Sequence, residues 1–459
     1  MAKKAGKTAW FCTNCGNEYP KWEGRCTACG QWGTLVEEKI AGIKKTPLKN
    51  SLVSGIGKSE IKRISDISVS DTPRLKMPSG ELNRVLGGGL VPGSLVLIGG
   101  EPGIGKSTLV LQNILSIRSR KVLYVSGEES PQQIKMRADR IGKPGDNCYI
   151  VSETSLENIF EHIDALEPGL VIVDSIQTVS SEELESTPGS VAQVRECAIR
   201  LLRYAKEHDV PVFLIGHITK EGSIAGPKVL EHIVDAVLQF EGDGKYQYRL
   251  LRAIKNRFGN TSEIGIYEMY EKGLKEITDP SDILHGNMND ALSGIALGVT
   301  VEGLRPFLIE IQALVSSAAY GTPQRSVTGF DQRRLNMLLA VLEKKAGFKL
   351  AQKDVFLNIA GGFKITDPAL DLSIIAAIFS SNTDIAIPID TCIIGEVGLS
   401  GEIRPVGKIE QRIFEAEKLG MANIIIPRGN IKGTDIKKLK IKVIEVSKVD
   451  EALKAILKK

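Results

Sequence analysis

Residues 94–108 constrain the fold of this chain more than any other segment. The apolar run at 95–98 leads into a glycine-rich loop of the form G-x4-G-K-S, and an apolar stretch follows from residue 108. A strand, such a loop and a helix in this order form a phosphate-binding P-loop, whose backbone N–H groups point at the phosphates from the helix N-terminus. The predicted nucleotide-binding residues are Gly100, Glu101, Pro102, Gly103, Ile104, Gly105, Lys106, Ser107 and Thr108.

Lys106 and Ser107 carry the polar chemistry of this loop. A lysine at this position reaches the β- and γ-phosphates, and the hydroxyl that follows it ligates Mg²⁺. A second apolar run, at 170–173, ends in Asp174. An acid at the end of such a strand fits the role of holding Mg²⁺ through its water shell. We therefore expect ATP and Mg²⁺ as cofactors, with Ser107 and Asp174 at the ion.

Two further apolar runs end in polar residues. The run at 122–125 leads to Glu128 and Glu129, and a carboxylate there is suited to polarising the attacking water. The run at 211–216 leads to His217, which either senses the γ-phosphate or makes a local turn contact. Because strands alternate with helices here, we predict a parallel sheet, and the ligands of such sheets lie beyond the carboxyl ends of the strands. These side chains are therefore expected to converge on the nucleotide.

Four of the seven cysteines lie within eighteen residues near the start of the chain: Cys12, Cys15, Cys26 and Cys29. The pattern C-x2-C-x10-C-x2-C pairs two short turns, each with a glycine after its second cysteine. Two such turns place four thiolates tetrahedrally around one Zn²⁺. We therefore predict a structural zinc site, which leaves no position open for catalysis.

All three tryptophans, Trp10, Trp22 and Trp32, lie beside this cysteine cluster. A segment this short has little else to bury, so we expect the indoles to form its small core. The alternative is that one of them stacks on a nucleic-acid base or on a partner.

The composition is that of a globular chain, with 42% hydrophobic and 25% charged residues. No stretch approaches the roughly 18 consecutive apolar residues of a membrane span, and no apolar signal core follows the basic start, so we expect a cytoplasmic location and no membrane partner. The net charge of +4 is uneven, because residues 1–64 hold 12 Lys and Arg against 5 Asp and Glu. This asymmetry favours either a polyanionic partner or a solvated basic arm.

Two cations, Lys255 and Arg257, lie two residues apart in the sequence Lys-Asn-Arg-Phe-Gly at 255–259. On a strand they share one face. At an oligomer interface they would neutralise charge that develops on the γ-phosphate of a neighbour's nucleotide. The alternative is a surface turn with ordinary charges.

The sequence resembles the bacterial RadA family, also called Sms, over nearly the whole chain. The marks are the four-cysteine finger, Gly-Gly-Gly-Leu-Val-Pro-Gly at 87–93, the P-loop, Gly-His-Ile-Thr-Lys-Glu-Gly at 216–222 and Lys-Asn-Arg-Phe-Gly at 255–259. The resemblance implies a RecA-like ATPase that forms hexameric rings on DNA, similar to DnaB-type helicases. It further implies a role in recombinational repair, in which the ring drives branch migration of intermediates made by the RecA recombinase.

The resemblance also implies roles for individual residues. Glu128 matches the catalytic base of RecA-like enzymes, with Glu129 as the remaining alternative. Lys255 and Arg257 are implied to act in trans or to couple ATP hydrolysis to DNA.

From about residue 284 the sequence resembles the Lon protease domain, an α+β fold similar to ribosomal S5 domain 2. Active Lon enzymes use a Ser–Lys dyad, in which a desolvated lysine activates the serine. Here Ala369 stands at the serine position and Glu410 at the lysine position, while Lys408 lies two residues early. We therefore predict no peptidase activity.

Four basic residues are candidate DNA contacts. The loop after His217 matches one that faces the central channel of RecA-like rings, which makes Lys220 and Lys228 candidates unless this segment is a flexible surface loop. Arg305 and Lys345 are the candidates in the Lon-like domain, and the alternative for each is a solvated surface charge. Such contacts to phosphate weaken as salt rises.

The predicted α/β organisation has a four-cysteine zinc finger at 1–35, a linker at 36–65, a RecA-like ATPase domain with a mostly parallel sheet at 66–279 and an inactive Lon-like domain at 280–459. The expected partners are single-stranded and branched DNA, the RecA recombinase and further copies of the chain in a homo-hexamer. The main alternative is a KaiC-like ring that signals or scaffolds without moving on DNA. A third hypothesis is a scaffold in which the finger and the Lon-like domain recruit repair proteins.

Overall fold

The computed structural model describes residues 7–14, 16–40, 63, 73–142, 145–217, 227–242, 248–278, 292–318, 322–362, 365–430 and 440–457. The chain divides into two compact units. The first consists of Met1–Glu241, Arg249–Thr261 and Tyr267–Glu276. The second consists of Gly242–Tyr248, Ser262–Ile266 and Ile277–Lys459.

A small antiparallel sheet in the first unit holds the cysteine-rich segment. Its strands, in the order β2-β1-β3, are β1 (Lys7–Cys12), β2 (Glu18–Tyr19) and β3 (Leu35–Ile40). Ala9 and Phe11 on β1 are buried in the same apolar cluster as Val194. The segment therefore shares a core with the rest of the first unit.

The tryptophans depart from the expectation that all three form the core of this segment. Trp22 and Trp32 are 57% and 74% exposed, and both rings lie close to Gly24. Trp10 alone of the three packs against the buried cluster, which consists of Cys12, Tyr19, Cys26 and Leu35. The prediction is wrong for Trp22 and Trp32 because the cysteines, Tyr19 and Leu35 fill the small interior.

Nine strands among the described residues form the central sheet, in the order β12-β11-β10-β9-β4-β8-β7-β5-β6. They are β4 (Leu95–Gly100), β5 (Val122–Ser126), β6 (Cys148–Ser152), β7 (Leu170–Asp174), β8 (Val212–His217), β9 (Ala236–Glu241), β10 (Tyr248–Asn256), β11 (Ile264–Tyr270) and β12 (Gly273–Glu276). The strands from β9 to β6 run parallel, whereas β10 is antiparallel to β9 and β12 to β11. The predicted mostly parallel sheet is confirmed.

Helices accompany this sheet, and its strands are apolar on both faces. The helices are α1 (Gly80–Leu86), α2 (Lys106–Ile114), α3 (Pro131–Ile141), α4 (Leu156–Leu166), α5 (Val191–His208) and α6 (Pro227–Leu230). Alternate residues of β4 belong to two different clusters, because Ile98 packs with Leu109 of α2 and Leu97 with Leu201 of α5. Burial on both faces explains the unbroken apolar run before the glycine-rich loop.

Seven strands form the main sheet of the second unit within its described ranges, in the order β15-β16-β14-β13-β17-β20-β21. The strands of this unit are β13 (Ile295–Glu302), β14 (Arg305–Ser317), β15 (Arg325–Thr328), β16 (Lys353–Ile359), β17 (Thr391–Ile393), β18 (Glu396–Val397), β19 (Ile403–Arg404), β20 (Asn423–Pro427) and β21 (Lys442–Val446). The helices are α7 (Gln332–Ala346), α8 (Asp371–Thr383), α9 (Ile409–Lys418) and α10 (Val449–Leu457). The antiparallel pairing of β14 with β13 and β16 is consistent with the predicted α+β class.

None of the helices in the described part of the chain is long and apolar enough to cross a membrane.

Candidate nucleotide and zinc sites

The glycine-rich loop joins β4 to α2 and depends on glycine at three positions. Gly103 and Gly105 have φ values of 74° and 110°, a backbone region that favours glycine. A Cβ atom on Gly100 would lie 2.6 Å from the carbonyl oxygen of Phe240. The loop can therefore turn tightly between strand and helix only with these residues.

Lys106 is the first residue of α2 and is only 3% exposed. Its Nζ donates to the carbonyl oxygens of Gly100 and Glu101, each at 2.9 Å, and lies 3.2 Å from Nδ1 of His217. Burial lowers the pKa of the Lys106 ammonium, although the negative charges of Asp174 and Glu128 oppose this shift. The ammonium thus lies inside the curve of the loop, within the field of both acids.

A cavity of about 260 Å³ lies at the carboxyl ends of β4, β5, β7 and β8. It is lined by Gly103, Gly105, Lys106, Ser107, Thr108, Ser126, Glu128, Glu129, Arg137, Asp174 and His217. Every polar side chain that the sequence assigned to the strand tips is among these residues. The convergence follows from parallel strands, whose carboxyl ends share one edge of a sheet.

Asp174 lies at the end of β7 and accepts a hydrogen bond from the hydroxyl of Tyr124. Burial, together with the adjacent Asp174 charge, raises the pKa of the Tyr124 phenol well above its ordinary value. Tyr124 therefore stays protonated and donates to the carboxylate. The carboxylate of Asp174 and the hydroxyl of Ser107 line the same cavity, and such oxygen donors fit the preference of Mg²⁺.

Glu128 and Glu129 have different partners. The carboxylate of Glu128 accepts a hydrogen bond from Ser175 Oγ at 2.7 Å and lies 3.5 Å from Nε2 of His217. The carboxylate of Glu129 forms an ion pair with Arg137, with a closest N–O distance of 2.7 Å. Glu128 is therefore the acid that faces the lysine and the histidine.

His217 ends β8 and lies between Lys106 and Glu128. One ring nitrogen is 3.2 Å from Lys106 Nζ and the other is 3.5 Å from Glu128 Oε1. The backbone carbonyl of His217 accepts a hydrogen bond from Gln177 Nε2 at 3.2 Å. Both ring nitrogens thus contact the predicted site residues.

Sequence reasoning missed Tyr124, Ser175 and Arg137. Tyr124 is buried within an apolar strand, and Arg137 lies on α3 with no motif around it. Ser175 directly follows Asp174, and that adjacency was the one local signal available.

Lys255 and Arg257 lie at the edge of the central sheet opposite the cavity. The carboxylate of Asp235 accepts a hydrogen bond from the N–H of Leu95, the first residue of β4, at 3.1 Å and pairs with Arg257 at 3.3 Å. Lys255 Nζ donates to two backbone carbonyls just before β9, at 2.6 and 2.9 Å. Because β4 is six residues long, its two ends lie about 17 Å apart. The structure therefore does not bring these cations to the cavity of their own chain.

The candidate DNA contacts have different surroundings. Lys220 lies outside the described residues, as does the side chain of Lys228 on α6. Arg305 is 9% exposed, and its guanidinium donates to the backbone carbonyls of Ile277, at 3.1 Å, and Thr278. Lys345 is exposed in the last turn of α7. The guanidinium of Arg305 is thus buried and hydrogen-bonded to backbone carbonyls, whereas Lys345 is exposed to solvent.

Three of the four cysteines assigned to zinc lie together. The sulfur atoms of Cys12, Cys26 and Cys29 are all within 4.8 Å of one another, and Cys15 lies outside the described residues. The Sγ atoms of Cys12 and Cys29 are 3.7 Å apart, close to the roughly 3.8 Å that separates thiolates bound tetrahedrally to zinc at about 2.3 Å. Burial opposes the shift, but hydrogen bonds from the Asn14 side chain and a backbone N–H lower the pKa of the Cys29 thiol.

Two equivalent turns hold these cysteines. Gly16 and Gly30 have φ values of 73° and 75°, and their N–H groups donate to the carbonyls of Cys12 and Cys26 at 2.7 and 2.8 Å. The Tyr19 hydroxyl lies 3.2 Å from Cys26 Sγ, a contact of the kind that orients a metal ligand. The residues present therefore fit a structural zinc ion.

The second unit has an ion pair near Ala369, the residue at the position of the Lon protease serine. Ala369 is buried, and its N–H donates to Asp367 Oδ1 at 3.0 Å. Asp367 in turn pairs with the buried Arg412 at 2.7 Å. Glu410 is exposed on α9, and Lys408 donates to the backbone carbonyl of Gly303.

Comparison with protein families gives three matches along the chain. The family described as AAA domain matches residues 60–223, the family described as Subunit ChlI of Mg-chelatase matches residues 312–430, and the family described as Rubredoxin metal binding domain matches residues 10–37. A solved structure of a KaiC-like protein from Pyrococcus horikoshii OT3 is similar to 45% of this chain and 99% of its own, with 19% identity and a TM-score of 0.37.

Curated relatives match over the full length of the chain. The DNA repair protein RadA of Bacillus subtilis is 49% identical, and the alignment covers 100% of this chain and 100% of that protein. RadA of Pseudomonas aeruginosa is 46% identical over 99% of this chain and all of its own length, and RadA of Escherichia coli is 45% identical over 93% of this chain and 94% of its own length. The AAA domain and these relatives together support an ATPase of DNA repair. The chain belongs to the RadA family of DNA repair proteins.

Proposed function

We propose that this chain is a DNA-dependent ATPase motor of recombinational repair, which binds single-stranded DNA as a ring and drives branch migration of intermediates made by the RecA recombinase. One observation carries the ATPase part: Lys106, Glu128, Asp174 and His217 follow or end four different strands and line one cavity. Membership of the RadA family supports the DNA repair part.

Four polar residues of the cavity, Lys106, Ser107, Asp174 and Glu128, have proposed roles in ATP hydrolysis. Lys106 binds the β- and γ-phosphates. Ser107 and Asp174 hold Mg²⁺, which neutralises charge on the phosphate oxygens when it is bound. Glu128 orients the attacking water and accepts its proton. Ser175 donates to the Glu128 carboxylate at 2.7 Å and so fixes its direction.

His217 is assigned the role of γ-phosphate sensor. Its ring lies between the ammonium that binds phosphate and the carboxylate that orients water. If the γ-phosphate displaced Lys106, the contact between Lys106 and the imidazole ring would change. The ring would then also change its contact with Glu128.

Lys255 and Arg257 act, in this proposal, on the nucleotide of a neighbouring copy. Their distance from the cavity of their own chain, about 17 Å along β4, supports this assignment. In a closed ring a heterologous interface joins one surface of a subunit to a different surface of the next. A cation supplied across it stabilises charge on the γ-phosphate. The proposed assembly is a homo-hexamer.

For DNA we assign phosphate contacts to Lys220, Lys228 and Lys345. Arg305 is not assigned one, because its guanidinium donates to two backbone carbonyls and is buried. The Lon-like domain, proposed at residues 280–459, has no peptidase role, because Ala369 and Glu410 replace the catalytic pair.

The zinc finger is proposed as a structural module that docks a partner protein. The proposed bounds are 1–35 for the finger, 36–65 for the linker and 66–279 for the ATPase domain. Strand β3 pairs with β1 along its whole length, so the sheet of the finger continues into the first residues of the proposed linker.

Substitution of Lys106 by alanine tests the nucleotide site. Removing the ammonium takes away the group that binds the phosphates, so ATP turnover is expected to fall on the order of 100-fold or more. Thermal melting serves as the control for folding. Turnover at the wild-type rate in a folded Lys106→Ala variant would refute the site assignment.

A further inference from the structure

The cavity contains an ion pair to which the proposed mechanism gives no role. Glu129 and Arg137 both line the cavity. Their side chains form an ion pair, in which Nη1 of Arg137 donates a hydrogen bond to Oε1 of Glu129 at 3.1 Å and Nη2 lies 2.7 Å from Oε2. Such a charge-assisted contact is stronger than a hydrogen bond between neutral groups, and it holds the Glu129 carboxylate beside the guanidinium.

The backbone on each side holds the pair in place. The N–H of Glu129 donates to Ser126 Oγ at 3.0 Å, and its carbonyl accepts from Ser152 Oγ at 2.8 Å. On the other side, α3 begins after Ser130, whose side chain closes a capping box. Arg137 lies on this helix and is only 17% exposed. These contacts fix the backbone from which both side chains project, and a rotation of either side chain would break the hydrogen bond and ion pair between them.

The charges in the cavity explain why the pair matters. Its described lining includes three carboxylates, namely Glu128, Glu129 and Asp174, and two basic side chains, namely Lys106 and Arg137. A triphosphate is itself strongly anionic. An unpaired Glu129 would add a further negative charge against it, and a second free carboxylate next to Glu128 would compete for the water.

We propose that Arg137 is a positioning residue that holds Glu129 out of the reaction and so leaves Glu128 as the carboxylate that orients water. The inference rests on the proposed function, since it assumes that ATP is hydrolysed in this cavity. It also accounts for the choice between two consecutive acids that sequence alone leaves open.

A comparison of four proteins tests the inference: wild type, Arg137→Met, Glu129→Gln and the double variant. Arg137→Met should lower kcat for ATP about tenfold, because Glu129 is left unpaired. The double variant should recover to within about threefold of wild type, since the amide needs no cationic partner. Arg140→Met, an exposed arginine on the same helix, is the matched control and should keep the wild-type kcat.

Two results would overturn the inference. A double variant as slow as Arg137→Met would mean that Arg137 acts on the nucleotide itself, and a wild-type kcat in Arg137→Met would mean that the pair has no influence. If Arg137→Met does not fold, Arg137→Lys with and without Glu129→Gln gives the same comparison. Glu128→Gln distinguishes a failure of this inference from a failure of the proposed function. Full activity in that variant would refute Glu128 as the base, whatever the Arg137 variants show.

Discussion

Lys106 keeps its ammonium group in a buried position among backbone carbonyls and a histidine ring. Burial lowers its pKa, with Asp174 and Glu128 only partly offsetting the shift. Bound phosphates favour the charged form, so nucleotide binding raises the pKa again. Between these two pKa values, free protein carries the neutral amine and the complex carries the ammonium. Binding in that range must therefore take up a proton.

We expect ATP binding to be accompanied by proton uptake at alkaline pH, between the lowered pKa of Lys106 in the free protein and its higher pKa in the complex. The affinity should fall as the pH rises through the lowered pKa of Lys106, because the neutral amine no longer attracts the phosphates. Titration calorimetry in two buffers of different ionisation enthalpy measures the uptake. Identical apparent enthalpies in the two buffers would contradict this prediction.

Gly100 offers a second test at the scale of one residue. A methyl group there would meet the Phe240 carbonyl at 2.6 Å, so Gly100→Ala should cost about 1–3 kcal/mol of stability. Gly142 at the end of α3 has open space where a methyl group would lie, and Gly142→Ala should stay within about 0.5 kcal/mol of wild type. Thermal melting measures the stability of both variants, and equal melting temperatures would contradict the prediction.

At the scale of elements, the phosphate site shows which features local sequence determines. The strand, glycine loop and helix are consecutive in the chain, so their spacing alone predicts their geometry. In helix α7 (Gln332–Ala346) the leucines likewise repeat with the helical period, and they are buried. Both patterns are formed by residues close in sequence.

Other features depend on tertiary contacts that no local pattern encodes. Arg137 reaches Glu129 across eight residues of loop and helix, and Tyr124 reaches Asp174 from a neighbouring strand. The exposure of Trp22 and Trp32 depends on what else fills the interior of the cysteine-rich segment. Hydrophobicity by itself indicates burial for all three tryptophans and so gives the wrong answer for two of them.

The cysteine-rich element has a convenient optical signal, because all three tryptophans of the chain lie in it. We expect one zinc ion per chain, released by a strong chelator or by Cys26→Ser. Loss of the ion should shift the tryptophan emission to the red, because Trp10 packs against the buried cluster that contains Cys12 and Cys26. Emission spectra and colorimetric zinc release measure both effects. Unchanged emission together with no released zinc would rule out the metal site.

At the scale of the whole molecule, the two halves of the proposed active site lie at opposite edges of one sheet. Lys106 follows the carboxyl end of β4. Arg257 forms an ion pair with Asp235, whose carboxylate accepts a hydrogen bond from Leu95, the first residue of β4. A site completed between copies therefore needs Lys106 from one chain and Arg257 from another.

Mixing two inactive variants tests this arrangement. Lys106→Ala and Arg257→Ala should each be inactive alone, and an equal mixture assembled from dissociated chains should regain about a quarter of wild-type turnover, because about one interface in four then has both groups. Each variant assembled only with itself is the control. A mixture that stays inactive would place Arg257 outside the neighbour's site.

The central claim, that ATP turnover is coupled to DNA, is tested most directly by steady-state ATP hydrolysis with and without single-stranded DNA at about 50 and 200 mM salt. We predict that DNA stimulates turnover at low salt and that the stimulation weakens at high salt, because lysine contacts to phosphate release counterions. Turnover that is the same with and without DNA at both salt concentrations would contradict the account and favour a ring that signals through protein contacts.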